Sequence, residues 1–130
     1  MPFDLSTRYA ADTIEVVIHD PLDKSDTGAR ITIHSPRSSA ARLARSRGTP
    51  LRFADGKTEA TEEEIHANLL EQTIGVTADW AGFTVGAEPL LFTPENVRAL
   101  YTDPRTEWIQ VEVLEAYLDA SRFFGTPRTP

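Results

Sequence analysis

His66 follows Glu62 and Glu63 by four and three residues, a spacing that sets an imidazole and two carboxylates on one face of a helix. Such a pair of ligand types is the start of a zinc site, but holding the ion and polarising a water needs three or four ligands together. The other two histidines, His19 and His34, lie on strands whose pairing separates them, so no second cluster completes the set. A solvated helix face is the simpler reading of Glu62, Glu63 and His66. The acids of DPLDKSD lack the D-x-D-x-D-G spacing and closing glutamate of a calcium loop. The chain has no cysteine, which excludes thiol catalysis, a disulfide framework and cysteine-held zinc. It has neither a phosphate loop of the G-x-x-x-x-G-K-[ST] type nor a G-x-S-x-G nucleophile elbow. With 20 acids, carboxylate pairs arise by chance, so a pair by itself does not identify acid–base chemistry. No catalytic, cofactor-binding or metal-binding residue is expected, and the chain reads as a non-enzyme.

The elements that would position any such groups belong to one domain, since 130 residues at 40% hydrophobic and 25% charged suit a single core. Its ends, 1–12 and 125–130, are expected to be flexible. No apolar run is long enough for a membrane span, and the first residues lack the basic start and apolar stretch of a secretory signal. The net charge of −7 opposes general nucleic-acid binding. The charge is unevenly spread. Residues 30–57 hold Arg30, Arg37, Arg42, Arg45, Arg47, Arg52 and Lys57 against Asp55 alone, whereas 58–130 are strongly acidic. The Arg-rich segment 37–47 is therefore either a solvated face beside complementary charge or a partner site.

DTIEVVIHD and ARITIHS alternate with period two and carry β-branched residues, which predicts two strands joined by the polar turn PLDKSDTG. Ser35-Pro36 predicts a helix start ahead of the Ala- and Arg-rich run to Gly48. Residues 49–60 read as a loop anchored by Leu51 and Phe53. Thr61 and Glu64 form a capping-box pattern that opens a helix carrying Ile65, Leu69 and Leu70 inward and continuing through TIGVTADW. Gly75 marks where that helix weakens. A connection with Gly82, Gly86 and Pro89 follows. Thr93-Pro94 starts a third helix, and Pro104 a fourth that runs to about Phe123. The sum is an α+β fold: an N-terminal antiparallel hairpin or small sheet packed on three to four helices.

The last helix carries more apolar circumference than one buried stripe needs. Trp108, Val111, Leu114 and Leu118 spread away from Ile109, Val113 and Tyr117. Either the helix is sandwiched inside the domain or it shows apolar surface to a partner. Phe123 and Phe124 come where the helix ends beside Gly125, so both are expected at the surface. The expected partner-binding set is Trp108, Val111, Leu118, Phe123 and Phe124, while Trp80 and Phe92 lock the preceding connection to the core.

The stretch from Asp79 to Phe124 resembles the tail assembly chaperones of long-tailed, siphophage-type bacteriophages. The matching positions are Asp79, Trp80 and Gly82; then Phe92, Thr93, Glu95, Asn96 and Leu100; then Trp108, Ile109, Val111 and Phe123. IHDPLDKSDTGARITIHSPRS, residues 18–38, is similar to the hairpin of the same group. The resemblance implies a non-enzymatic chaperone that binds the phage tape measure protein and helps recruit tail tube protein during tail morphogenesis. It implies a place in the host cell cytoplasm and absence from the mature virion. A frameshifted longer form of the chain is a further partner in this family, and self-association is left open. The alternative is a structural head–tail connector or tail completion protein retained in the virion.

Overall fold

In the computed structural model of the chain, which describes residues 2–47, 53–54, 57–58 and 61–124, an α+β fold forms around one apolar sheet face. Strands β1 (Thr13–His19) and β2 (Asp26–His34) are antiparallel, with Val16 opposite Ile31 and Ile14 opposite Ile33. A third strand, β5 (Thr77–Ala81), pairs antiparallel with the other edge of β2 and sets Trp80 opposite Ile31. The row Val16–Ile31–Trp80 therefore crosses all three strands on one face, joined there by Ile18, Ala29 and Ile33, all buried. Alternation in the sequence produces this face, and three strands alone cannot keep it from water. Between β1 and β2, Asp20 and Asp23 accept the Leu22 and Ser25 amides, and Lys24 takes a left-handed φ of 64°.

Four helices do the covering. They are α1 (Ser39–Arg47), α2 (Glu62–Val76), α3 (Pro94–Thr102) and α4 (Glu107–Leu118). Two-residue pairs β3/β4 (Phe53–Ala54, Lys57–Thr58) and β6/β7 (Thr84–Val85, Glu88–Pro89) lie in the connections. The rest of 49–60, with Leu51 of the expected loop, lies outside the described residues. The same holds for the expected flexible end 125–130, while residues 5–8 of the other end form a 3-10 turn.

Four local expectations are corrected. First, α1 begins at Ser39 rather than at Pro36. Ser35 to Ser38 make a tight turn, and Ser38, not Ser35, caps the helix by accepting the Ala41 amide at 3.1 Å. Second, α2 passes through Gly75 and stops at Val76, where the chain turns straight into β5 instead of remaining helical to Trp80. The open edge of β2 captures these residues, a long-range pairing that helical pattern cannot reveal. Third, Gly75 marks a crossing. A Cβ there would lie 2.5 Å from the Ala44 Cβ, so glycine lets α1 and α2 pack closely. Fourth, Pro104 sits in the turn before α4. Asp103 accepts the Arg105 backbone amide and its guanidinium, which holds the Asp103 carboxyl down at about 2, and helical geometry starts only at Glu107. The caps at Thr61 and Thr93 form as expected, accepting the amides of Glu64 and Asn96.

A polar seam holds the helices in register inside the core. Thr77 Oγ1 donates to the Thr73 carbonyl at 2.7 Å, so the Tyr101 hydroxyl, 2.8 Å away, is the donor to Thr77. Burial pushes the Tyr101 pKa up to about 12, which keeps that proton in place. Thr73 in turn donates to the Leu69 carbonyl and accepts from Gln110 Nε2 at 3.3 Å, tying α2 to α4. Buried polar atoms are tolerated only when paired in this way. Tyr117 comes closest to breaking the rule: its ring is buried and its hydroxyl makes no well-formed hydrogen bond among the described residues, although the Arg45 guanidinium lies near it. That burial pushes its ionisation up, with the Arg45 guanidinium opposing.

Two predictions follow from this packing. Tyr117→Phe removes an unsatisfied hydroxyl and leaves the ring, so chemical denaturation should show stability unchanged or raised by up to about 1–2 kcal/mol; a clear loss would mean the hydroxyl has a partner. Gly82 has φ +88°, and a Cβ there would lie 2.8 Å from the Gly28 carbonyl oxygen. Gly82→Ala should therefore cost roughly 1–3 kcal/mol, read as a lower thermal midpoint; an unchanged midpoint would contradict the close approach of β5 to β2.

Candidate functional site

Two faces of α4 divide its apolar residues. Ile109, Val113, Ala116 and Tyr117 turn inward and are buried, with Gln110 beside them. This inward stripe fixes the rotation of the helix, because these side chains meet the sheet face and α2. Val111 and Leu118, seven residues apart and so on one side of the helix, are then left outward at 48% and 62% exposure. Trp108, one turn before Val111, is partly buried against the core.

A carboxylate fixes the same helix to the sheet edge. β1 carries an irregularity in register between Val17 and His19 and is an edge strand. The His19 amide donates to Glu112 Oε1 at 3.0 Å, and the His19 ring Nδ1 contacts the same oxygen. Glu112 thus caps an edge donor that would otherwise be open to another strand. Around this contact lies a groove of about 630 Å³ lined by His19, Pro21, Lys24, Trp108, Val111, Glu112, Glu115 and Arg122. It has an apolar floor from Trp108 and Val111 and charges of both signs on its rim. Leu22, in the β1–β2 turn that also carries Pro21 and Lys24 of the groove, is 93% exposed.

The five residues expected to meet a partner are not brought together as one patch. Trp108 and Val111 share the groove, and Leu118 lies outward along the same helix. Phe124, at 42% exposure, lines a separate slot of about 240 Å³ with Ala10, Ala11, Pro36 and Arg37. Phe123 is corrected: it is buried at 3% and belongs to the core. The chain leaves α4 through a 3-10 turn over Ala120–Phe124, and the Phe123 carbonyl accepts the Ala11 amide just ahead of β1. That turn swings one phenylalanine under the sheet edge and leaves its neighbour outside, where a continued helix would have carried both away.

Trp80 and Phe92 sit elsewhere and act on the fold. The Trp80 indole donates to the Leu90 carbonyl at 2.9 Å and meets Phe83 and Phe92 edge-to-face, at centroid distances of 5.4 and 5.3 Å. Exposed Phe3, Leu5 and Tyr9 near the N-terminus, and Leu22, were not singled out from sequence. Isolated apolar residues in polar stretches follow neither a period-two nor a helical pattern, so nothing short of the fold reveals whether they are covered. Glu62, Glu63 and His66 are exposed on the first turns of α2, and no three potential metal ligands gather among the described residues.

Removing the edge cap gives a direct check on this geometry. Glu112→Ala should speed hydrogen exchange of the His19 amide by about tenfold or more, with core amides of β2 little changed, because a lost local bond opens only the edge. Unaltered His19 exchange would contradict the cap. Compared with known proteins, the chain matches no family model, no curated protein and no solved structure.

Proposed function

We propose that this protein is a non-enzymatic tail assembly chaperone of a long-tailed phage, holding the tape measure protein in the host cytoplasm while tail tube protein assembles around it. The observation that carries the reading is the outward side of α4. Val111 and Leu118 stand exposed a heptad apart on a helix already anchored by its other face, beside a groove floored by Trp108. A second amphipathic helix placing apolar side chains at matching intervals fits such a stripe. Covering what remains exposed of Val111 and Leu118 is worth about 1–2 kcal/mol each, enough for reversible capture when several such contacts act together. The net charge of −7 keeps a protein with this much open apolar surface soluble between encounters. The order of sequence motifs from Asp79 to Phe123 supports the same reading. Phe123 has no part in the contact, being occupied in the core.

Co-expression with the tape measure protein of the same phage tests it. The tape measure protein should stay soluble and co-purify, and Val111→Asp with Leu118→Asp should reduce recovery about tenfold while the variant melts within a few degrees of wild type. A tape measure protein equally soluble without this chain, or equal recovery with the variant, would overturn the reading. Abundant copies in the finished particle would favour the retained connector instead.

A further inference from the structure

Four of the described arginines have a carboxylate at hand. Arg30 pairs with Asp26, Arg98 with Glu71, Arg105 with Asp103 and Arg122 with Asp119. Arg37, Arg42 and Arg45 do not. Among the described residues Arg42 donates to the Arg37 carbonyl and Arg45 to the Pro36 carbonyl, and Arg45 also lies near the Tyr117 hydroxyl; none of the three meets a carboxylate there. All three are exposed, with Leu43 half-exposed among them, because Ala41 and Ala44 take the buried side of α1. Three guanidinium groups within nine residues make a concentrated positive face that attracts an anionic surface.

The complementary feature is at the other end of α2. Glu62, Glu63 and Glu64 open the helix, and from Glu62 to Ala67 every residue but Glu64 is exposed, including Ile65 at 44%. Helical spacing set Ile65 inward, but it lies too near the helix start to reach the core. The first turns of α2 thus present an exposed acidic surface with an aliphatic residue among its charges. None of these glutamates forms an ion pair with a described residue. They cannot reach the arginines of their own α1 around Ala44: Gly75 packs on Ala44, and Glu62 lies 13 residues earlier, about 20 Å along the axis.

We propose that a second copy of this chain docks the acidic N-terminal end of its α2 on the arginine face of α1, Ile65 beside Leu43, so that copies join head to tail. Charge complementarity selects the occupant, three carboxylates against three guanidinium groups, each set surrounding one exposed aliphatic residue. The two surfaces lie on different parts of the chain, so the contact is heterologous and propagates into a ring or an open row instead of stopping at a two-fold dimer. The outward side of α4 takes no part, so such an assembly keeps one client-binding stripe per copy.

Sedimentation velocity on the full chain tests this, with folding of each variant checked by circular dichroism. At about 0.05 M salt, wild type should show species larger than the monomer, and their population should fall at least about tenfold at about 0.5 M. Arg37→Glu with Arg42→Glu should be monomeric, and so should Glu62→Lys with Glu63→Lys. An equimolar mixture of the two should associate again, because each reversed face finds its reversed partner; if a reversal unfolds the chain, the Gln versions of the same pairs should still be monomeric. A monomeric wild type at low salt, or a mixture that stays monomeric while its components are folded, would overturn the proposal. So would a monomeric wild type whose Arg37/Arg42 variant loses the tape measure protein, since the arginine face would then belong to the client.

Discussion

The three-stranded sheet has one apolar face, and the molecule is organised by the need to cover it. Val16, Ile18, Ile31, Ile33 and Trp80 lie on that face, almost fully buried. Burying them supplies the main driving force for folding, and it fixes which side of each helix turns inward. For α4 the inward side is Ile109, Val113, Ala116 and Tyr117. Helical geometry then leaves no freedom: Val111 and Leu118 point away. The apolar excess of this helix is thus a consequence of how the core is satisfied, and it becomes a surface because nothing else in the described chain covers it.

Polar contacts refine what burial decides. The Tyr101–Thr77–Thr73 seam and the Thr73–Gln110 bond set how the helices sit against each other, and Glu112 joins α4 to the edge of β1. The last contact also places the His19 side chain and the β1–β2 turn along the groove beside Val111. A single carboxylate therefore protects a strand edge and shapes one wall of the proposed client site.

Much of this was legible in the sequence where the cause is local. Period-two alternation gave β1 and residues 29–34 of β2 with the correct inward residues, though 26–28, read as turn, already belong to β2. The Ser/Thr and Pro chemistry at Thr61 and Thr93-Pro94 gave the starts of α2 and α3. Two errors are local choices of helix start, at Ser38 and at Pro104, and the others fall where the cause is distant. Residues 77–80 read as helix continuation because only the free edge of β2 makes them a strand. Gly75 reads as a weak point because only the approach of Ala44 makes it a contact. The burial of Phe123 depends on a 3-10 turn and on the Ala11 amide, more than a hundred residues away in the chain. The same distinction governs the site. A surplus of apolar residues on α4 could be read from spacing, but which of them stay outside required the position of the sheet.

The rotation of α4 decides which of its side chains can meet a client, and crosslinking reads that rotation directly in the working complex. A photo-reactive side chain placed at Leu118, in a chain co-expressed with the tape measure protein, should crosslink to it, whereas the same group at His66, on the far end of α2, should not. Crosslinks from position 66 with none from position 118 would contradict the central claim.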